Sequence, residues 1–455
     1  MAIYMNRRKK QVKKEELSRC LAGPLQEFLP DSVILSEGGV KTRRTAFHLL
    51  VMVWCMIRQT IAPDPSCRAT LAWLQAARSE AGLPPLSSDT GGYCKARQQL
   101  PAKLLPRLSN HVAGELTQKA GGHDLWCGRR VRVADGSAFS MPDTPENQIV
   151  YPQPRSQKPG CGFPIANFIS VLCLATGALL GAFIAIHGTH DLAMFYFVRG
   201  LFAAGDIFLG DRGFASYAEM ALFKQRGVDS VLRQHQRRKT DFRRGRILGA
   251  GDHVVIWHKP PHRPKGLSEA DWSLLPDTLM VRELRYQVEV KGWRTPEIIL
   301  STTLLDAGAY PAEKLAELYF RRWEIEVDYR HVKITLQMDV LRGKSPEVVE
   351  KEFWAHLLAY NLLRRLMWEA GIMGSVKALA LSFKGAIQHL LPRWGMLWNE
   401  WKRALDDLLA LIALEVLPHR PGRVEPRVRK RRPKNFSLMT KPRHILKKML
   451  PLYHY

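Results

Sequence analysis

The sequence predicts a mixed α/β protein in which helical regions lie on either side of a sheet-forming region. Residues 1–120 and the residues after Pro311 carry apolar side chains at helical spacing. Residues 129–233 instead alternate short apolar runs with helical segments, and residues 234–303 contain alternating segments typical of strands. With 455 residues, the chain has room for about two to four domains.

The N-terminal region predicts a set of short helices. Residues 46–60 are apolar, residues 69–81 are amphipathic, and residues 93–100 carry the cations Lys95 and Arg97. Helices that are joined by short turns and have basic faces can place one helix in a DNA groove. A helical packing domain with a solvated basic face has the same pattern, so both interpretations stay open.

The segment from Ile165 to Ile186 has no charged residue and is long enough to cross a bilayer. Its middle, however, contains the turn signal Ala175-Thr176-Gly177, and each half is a short apolar run with β-branched and aromatic residues. We therefore expect a buried hairpin of two strands here, and no membrane helix.

The rest of this region alternates strands with helices, with His190-Asp191 as the expected cap of its first helix. The predicted order is strand 130–134, the hairpin, a helix from 191 to about 203, strand 207–209, helix 217–225 and strand 228–232. Strands that alternate with helices in this way indicate a mixed α/β sheet.

Beyond residue 233 the pattern changes twice. Residues 234–303 begin with basic runs and continue as alternating segments, which predicts a β-rich insertion. Helical spacing returns in residues 315–336, 352–369 and 398–417. The tail after Arg420 is rich in Arg, Lys and Pro, which is typical of a flexible basic arm for phosphate contact or of a solubilising tail.

The charge of the chain indicates a polyanionic partner. There are 68 Lys and Arg residues against 42 Asp and Glu residues, a net charge of +26. Nucleic acid is the commonest partner of such a protein because each neutralised phosphate releases counterions. A hydrophobic content of 46% excludes a disordered chain and indicates a sizeable core.

The cysteines indicate a reducing compartment. The seven cysteines are scattered and contain no C-x-x-C pair, so a zinc ribbon is not expected. The basic N-terminus is not followed directly by an apolar segment, and we therefore predict no signal peptide. Together these features favour a cytoplasmic protein with free thiols.

Two aspartates follow predicted strands. Asp135 comes after residues 130–134, and Asp211 comes after residues 207–209. Side chains at strand ends point out at the rim of a sheet, where ligands commonly bind in α/β folds. Each aspartate alone is also an ordinary turn residue, because Asp-Gly and Asp-Arg-Gly are common in turns.

A third acidic residue lies in a predicted helix that also presents cations. Tyr319, Arg322, Glu326 and Lys333 are three, four and seven residues apart, and on a regular helix they share one face with Arg330. A structural stripe of salt bridges has the same pattern. In the functional interpretation, the carboxylate binds a metal ion and the neighbouring cations bind phosphate oxygens.

These segments carry a family resemblance. The spacing Y-x2-R-x3-E-x6-K in residues 319–333 is similar to that of bacterial insertion-sequence transposases related to the Tn-five enzyme, a branch of the DDE transposases. Residues 133–148 (VADGSAFSMPDTPENQ) and 209–217 (LGDRGFASY) resemble the family segments that hold its first and second aspartates. The order Asp, Asp, Glu and a long gap before the Glu also resemble the family, over about residues 85–370.

The resemblance implies a ribonuclease-H-like catalytic core formed by residues 121–233 and 304–370. It is flanked by a helical DNA-binding domain at 1–120 and a helical region with a basic tail at 371–455, and it is interrupted by the β-rich insertion at 234–303. The resemblance further implies DNA cleavage at the terminal inverted repeats of a mobile element. The freed 3′-OH ends are then joined to target DNA by a homodimer in a synaptic complex.

The resemblance also implies roles for individual residues. Asp135, Asp211 and Glu326 are expected to hold two Mg²⁺ ions, which Mn²⁺ can replace, because hard carboxylate oxygens suit these ions. The expected contacts to DNA phosphates are Tyr319, Arg322, Lys333, Arg330 and Arg212.

The chain departs from the family pattern at one position. Relatives place a Trp in the insertion, where it receives a flipped base during formation of a DNA hairpin. The matching strand, residues 295–303, has Ile298 and Ile299 at that place, and the other candidates are Trp293, Trp257 and Trp272. Two alternative functions also stay open: a nuclease of the same fold without strand transfer, and a non-catalytic DNA-binding regulator.

Overall fold

The computed structural model describes residues 16–38, 46–264, 266–287, 297–394, 401–418 and 438–449. It contains a mixed sheet of nine strands surrounded by helices, which confirms the predicted fold class at the level of a mixed α/β protein. The strands are β1 Val131–Ser140, β2 Ile165–Cys173, β3 Leu179–Ile186, β4 Ile207–Gly210, β5 Asp229–Arg233, β6 Arg246–Gly249, β7 Asp252–His258, β8 Thr278–Gln287 and β9 Glu297–Thr302.

The helices of the described residues fall mainly before β1 and after β9. They are α1 Asp31–Gly38, α2 Leu49–Ile61, α3 Cys67–Glu80, α4 Gly91–Gln99, α5 Leu104–Gln118, α6 Pro145–Val150, α7 Asp191–Phe195, α8 Tyr217–Gln225, α9 Glu269–Leu274, α10 Ala312–Arg321, α11 Glu324–Arg330, α12 Pro346–Met373, α13 Phe383–Arg393, α14 Trp401–Ala413 and α15 Arg443–Lys448. The three predicted N-terminal helices are therefore confirmed as α2, α3 and α4.

The strand order of the sheet is β3-β2-β1-β4-β5-β9-β8-β7-β6. The central strands β1, β4 and β5 are parallel, whereas all other neighbours are antiparallel. The strands of the β-rich region at 234–303 thus extend the same sheet, because β9 pairs directly with β5. The division of the chain into four domains stays a prediction.

The apolar segment at 165–186 forms the predicted hairpin. Its two halves are β2 and β3, which pair antiparallel and are joined by a turn with Gly177 at φ 72°. A positive φ favours glycine because a Cβ atom is strained there. No helix among the described residues is long and apolar enough to span a membrane.

Two hydrophobic cores cover the two faces of the sheet. On one face Phe168 of β2 packs against Phe353 of the long helix α12, with ring centroids 5.2 Å apart. On the other face Phe208 of β4 packs against Phe195 and Phe223, which come from α7 and α8, at 4.9 and 5.1 Å. Helices on both faces bury the strands that lead to the site.

The first predicted strand is longer than expected, and this changes the position of Asp135. The strand was predicted to end at Ala134, but β1 continues to Ser140. Its parallel pairing with β4 ends at Val133, opposite Leu209, whereas its antiparallel pairing with β2 continues past Asp135, which lies opposite Ser170. Asp135 therefore lies within a strand, just beyond the parallel ladder, and not at a strand end.

The single helix predicted for residues 315–336 is also wrong. Helix α10 ends at Arg321, α11 begins at Glu324, and a π-helical turn spans His331–Thr335. The amides of Ile325 and Glu326 donate to carbonyls three residues back, at 3.2 and 3.1 Å. Because the winding changes at Arg322–Trp323 and again at the π-helical turn, the four residues with the family spacing do not lie on one regular α-helix.

Two other predicted helices have different ends in the structure. The helix predicted to run from 191 to about 203 ends at Phe195, and a short 3-10 turn at Arg199–Leu201 follows. His190 is the N-cap residue, but its side chain caps no backbone amide. The helix predicted at 398–417 is observed as α14, and the basic residues at 420–434 lie outside the described residues.

Candidate active site

Asp135 lies on β1, and hydrogen bonds to both its backbone carbonyl and its carboxylate hold it in place. Its carbonyl accepts a hydrogen bond from the Tyr329 hydroxyl, and its Oδ1 accepts one from the amide of Gly136 at 2.9 Å. Burial raises the pKa of this carboxyl to about 7, and the negative charges of Asp211 and Asp191 contribute in the same direction. Arg322 opposes this rise. A carboxylate that repels its neighbours in a partly buried place is typical of a functional site.

Asp211 directly follows β4, the strand next to β1, as the sequence predicted. Its Oδ1 accepts the backbone amide of Gly213 at 2.7 Å, so the residue also stabilises the turn in which it lies. Its charge acts on both Asp135 and Asp191, which places the three carboxylates in one electrostatic neighbourhood. The turn interpretation and the site interpretation are therefore compatible.

Glu326 approaches this neighbourhood from α11. Its side chain is 47% exposed, and Arg322 links it to Asp135. The guanidinium Nη1 lies 3.8 Å from Asp135 Oδ2, and Nη2 lies 3.5 Å from Glu326 Oε1. One arginine thus joins two of the three predicted acidic residues, across 191 residues of sequence.

The Arg322 side chain is itself held in place. Only 10% of it is exposed, and its guanidinium carbon lies 5.0 Å from the Trp323 ring and 5.8 Å from the Tyr319 ring. Its Nε has no hydrogen-bond partner among the residues that the structure describes. Tyr319 is 4% exposed, and burial raises the pKa of its hydroxyl. In this conformation Tyr319 supports Arg322 and is not open to solvent.

A cavity of about 440 Å³ opens beside these carboxylates. Asp135 and Glu326 both line it, together with Arg330 and Lys333, and Asp211 is not among its lining residues. The Lys333 ammonium lies 3.3 Å from Ser137 Oγ and 3.1 Å from Asp339 Oδ1. With Asp339, which also lines the cavity, three acidic and two basic side chains therefore face one open space.

Arg212 lies outside this cavity, next to Asp211. Its side chain is exposed and donates a hydrogen bond to Gln236 Oε1 at 2.9 Å. This contact joins the loop after β4 to the basic residues that follow β5. Arg212 and Arg330 are both exposed, as contacts to a phosphate backbone require.

Two residues of this neighbourhood were missed by the sequence analysis. Asp191, interpreted as part of a helix cap, lies beside β1: its Oδ1 is 2.3 Å from the place where a Cβ on Gly136 would lie. Burial and the charge of Asp211 raise the pKa of Asp191. Tyr329, whose hydroxyl contacts the Asp135 carbonyl and lies 2.9 Å from Ser170 Oγ, fixes α11 against β1 and β2.

Sequence signals for these two residues existed but were weak. Asp191 follows the hairpin strand β3, and a hairpin beside the strand of Asp135 brings its end to the same region of the sheet. Tyr329 lies three residues after Glu326, between Asp328 and Arg330, and offers a hydroxyl there. Nothing in the spacing alone separates either residue from a cap or a core aromatic.

The candidates for a flipped base are spread over the sheet extension. Ile298 is 3% exposed and packs in the core, which leaves no surface for a base. Trp257 is 2% exposed, and its indole donates to Glu283 at 2.8 Å. Trp272 lies on α9 with the Lys259 ammonium 4.8 Å from its ring, and Trp293 lies outside the described residues.

His331 lies away from the carboxylates. Its ring stacks on Phe383 with centroids 4.6 Å apart, and it lines a different cavity from the one beside Glu326. Burial lowers the pKa of this imidazole to about 3, and the charges of Arg364 and Arg330 add to the effect. We therefore assign it to packing.

The donor chemistry around Asp135 fits a hard divalent cation. No three carboxylate, imidazole or thiol groups of the described residues are close enough together to form a complete metal site. Asp211 and Asp191 nevertheless raise the pKa of Asp135, Asp211 also raises that of Asp191, and a cation would relieve this repulsion. Carboxylate oxygens are the protein ligands that Mg²⁺ prefers, and this ion keeps several waters.

Comparisons with known proteins identify the family of the chain. The family model described as "Transposase DDE domain" matches residues 126–362, a range that contains Asp135, Asp211 and Glu326. Transposase InsG for insertion sequence element IS4 of Escherichia coli (strain K12) is 28% identical over 439 residues, which are 92% of this chain and 90% of that protein. A transposase for insertion sequence element IS421 of Escherichia coli is 34% identical over 94 residues, or 20% of this chain and 25% of that protein.

Among solved structures, a cryo-EM structure of the piggyBac transposase synaptic complex with hairpin DNA aligns with 88% of this chain and 86% of its own. The sequence identity is 10% and the TM-score is 0.41.

Proposed function

This chain belongs to the family of DDE transposases, and from that premise we propose that it cuts an insertion element at its terminal inverted repeats and joins the freed 3′-OH ends to target DNA. The observation that carries the proposal is the meeting of Asp135 and Glu326, from distant parts of the chain, at one arginine and one cavity. A homodimer in a synaptic complex, bound to double-stranded DNA, is the assembly we propose.

We propose that Asp135, Asp211 and Glu326 are the catalytic carboxylates. They would hold two Mg²⁺ ions, with Mn²⁺ as a substitute, which lower the pKa of a bound water and stabilise charge on the leaving oxygen. The carboxylates of the chain then keep the site negative enough to attract cations while the surrounding arginines attract phosphate. Asp191 is a fourth carboxylate that we add to this neighbourhood as a positioning residue.

The cations beside the carboxylates are the proposed phosphate contacts. Lys333 and Arg330 face the same cavity as Glu326, so a phosphate seated there would lie between acidic and basic side chains. Arg322 is placed to turn from the carboxylates to a phosphate oxygen. Tyr319, beneath Arg322, and Arg212, beside Asp211, complete the set, with Tyr319 acting through the arginine. Charge-assisted hydrogen bonds of this kind are short and strong.

The proposed chemistry is a sequence of phosphoryl transfers. A water attacks the phosphodiester at the transposon end, the 3′-oxygen leaves with a proton, and the freed 3′-OH attacks a second phosphodiester. We propose that this second attack first forms a DNA hairpin, as the family resemblance implies, and that target joining uses the same groups. Trp293 remains the proposed base contact of that step.

The architecture supports the same proposal. The five strands β3-β2-β1-β4-β5, with Asp135 and Asp211 on the neighbouring strands β1 and β4, form the part of the sheet that we propose to be a ribonuclease-H-like core. The helices before β1 would form the DNA-binding domain, and strands β6 to β9 the insertion. We propose that the protein is cytoplasmic and associates with the nucleoid, in accord with its net charge of +26.

The test is cleavage of cognate DNA ends by three charge-removing variants, Asp135→Asn, Asp211→Asn and Glu326→Gln. Each should lose about three orders of magnitude in rate, because several kcal/mol of charge stabilisation depend on the metal site and each 1.36 kcal/mol is tenfold. Binding to the same ends should change little. The measurement is cleavage of labelled ends at saturating protein, with binding followed by fluorescence anisotropy.

Glu324→Gln is the matched control for Glu326→Gln. Glu324 lies two residues earlier, pairs with Arg321 at 2.8 Å and faces a different cavity, so its variant should cut at the normal rate. Normal cutting by any of the three test variants would exclude that residue from the site. Joining of precut ends to target DNA separates transposition from simple nuclease activity.

A further inference from the structure

A pair of cysteines in the N-terminal helices has a geometry that the proposed function does not use. Cys67 is the first residue of α3, and Cys94 lies on α4. Their sulfur atoms are 3.9 Å apart, and both residues are partly exposed. Cys20, Cys55 and Cys173 are buried, so this pair is open to solvent in a way that those three are not.

Three hydrogen-bond donors point at one of the two sulfurs. The Sγ of Cys67 accepts from the Arg97 guanidinium at 3.4 Å, from the Gln59 amide at 3.8 Å and from the Cys94 thiol at 3.9 Å. Donors and a cation around a sulfur stabilise its negatively charged form, which is the reactive form of cysteine. Cys67 is also at the N-terminus of a helix of 14 residues, where the helix dipole favours negative charge.

The surroundings hold these donors in place. The Tyr93 hydroxyl donates to Gln59 Oε1 at 2.8 Å, and Gln59 Nε2 also donates to the Pro65 carbonyl at 2.7 Å. The orientation of the amide is therefore fixed by partners on both of its ends. Arg97 is 5% exposed and forms an ion pair with Glu352 of α12 at 3.4 Å. The donors are thus part of the folded structure and are not mobile surface groups.

From this geometry we propose that Cys67 and Cys94 form a site of reversible oxidation, in which Cys67 is the nucleophilic cysteine and Cys94 the resolving one. The oxidant is hydrogen peroxide. The Cys67 thiolate attacks one peroxide oxygen, the O–O bond breaks, and with one proton a sulfenic acid and water are formed. The Cys94 thiol then attacks the Cys67 sulfur and a second water leaves, so that two thiols and one hydrogen peroxide give one disulfide and two waters.

Formation of the disulfide changes the contacts of α3 and α4. The sulfurs must approach by about 2 Å to reach bonding distance, which requires a change of rotamer and a small movement of the two helices. Burial raises the pKa of the Cys94 thiol, and the neighbouring Cys67 adds to the effect, so Cys94 is suited to remain a thiol until Cys67 has reacted. The proposal is independent of the cleavage chemistry.

The experiment uses the full-length reduced protein, treated with hydrogen peroxide and then blocked with N-ethylmaleimide. Trypsin releases Cys67 in the peptide of residues 59–68 and Cys94 in the peptide of residues 79–95. We expect these two peptides to appear as one cross-linked species, lighter than their sum by two hydrogens, and dithiothreitol to separate them. Absence of that species while exposed Cys127 is already oxidised would overturn the proposal.

Two variants distinguish the roles of the two cysteines. Cys94→Ser should accumulate a sulfenic acid at Cys67 that dimedone traps at least about tenfold faster than at Cys161, which is also partly exposed. Cys67→Ser should leave Cys94 as a free thiol after the same treatment. Equal labelling of Cys67 and Cys161 would refute the assignment, and the cross-link in the unaltered protein does not depend on how well either variant folds.

Discussion

The double contact of Arg322 with Asp135 and Glu326 leads to a prediction that runs against the usual effect of an active-site substitution. Arg322→Gln should increase the affinity of the DNA-free protein for Mn²⁺ while it abolishes cleavage. The guanidinium stands where a cation would be attracted, 3.8 Å from one carboxylate and 3.5 Å from the other. A metal ion that binds there has to displace it or share its partners.

The size of the effect follows from the two distances and exposures. Two unit charges at about 4 Å attract by about 4 kcal/mol at an effective dielectric constant of about 20, which bounds the contact with the mostly covered Asp135. The Glu326 contact counts for about 1 kcal/mol or less, because half of that side chain is in solvent. Since about 1.4 kcal/mol is tenfold, removal of the cation should raise the Mn²⁺ affinity by about tenfold or more.

The assay is Mn²⁺ binding followed by electron paramagnetic resonance of the free ion, at about pH 8.5. This pH is chosen because loss of Arg322 raises the pKa of Asp135 further above its value of about 7, and protons would otherwise compete with the metal. Arg330→Gln is the matched control: Arg330 is exposed in the same cavity, and its loss should change the affinity far less. Equal or weaker Mn²⁺ binding by Arg322→Gln in a folded protein would refute the reasoning.

Two further predictions concern the charges around Asp135. Without metal, Asp135→Asn should raise the melting temperature, by a margin that grows between about pH 4 and pH 7 and is constant above. The folded-state pKa is raised, so ionisation of this carboxyl costs stability as the pH rises through that window; a margin independent of pH would contradict this. Asp191→Asn should lower the pKa of Asp135, so that Mn²⁺ binding persists to a lower pH than in the unaltered protein. An unchanged pH profile of Mn²⁺ binding would show that the charge of Asp191 does not act on Asp135.

The sheet and its two aspartates were accessible from the sequence because they depend on local pattern. Alternating or continuous apolar runs of four to ten residues predicted β1 to β5, and strand ends predicted where Asp211 lies. The hairpin at 165–186 was separable from a membrane helix by its central turn. Asp135 was placed at a strand end because the alternation of residues 130–134 stops before it. The antiparallel partner β2, which extends the strand, could not be inferred from residues 130–140 alone.

The geometry around Glu326 depends on contacts that the local sequence does not contain. The spacing of Tyr319, Arg322, Glu326 and Lys333 fits one helix, and nothing in these residues forbids it. The observed break between α10 and α11 accompanies the reach of Arg322 toward Asp135, which is 187 residues earlier in the chain. Asp191 was missed for the same reason: its neighbour Gly136 is 55 residues earlier, and only the fold brings them together.

If Asp135 and Glu326 hold the metal as proposed, Arg322 links the binding of metal to the binding of DNA. While Arg322 contacts Asp135 and Glu326, its positive charge opposes the binding of a metal ion between them. When Arg322 turns to a phosphate, the two carboxylates lose this cation and become free to bind a metal ion. Binding of DNA and binding of metal should therefore favour each other, and by thermodynamic linkage each should raise the affinity for the other by the same factor. On this view the contacts of Arg322 with Asp135 and Glu326 prevent a metal-loaded site from forming before the DNA end has arrived. In Arg322→Gln that coupling should fall even though the metal is bound more tightly.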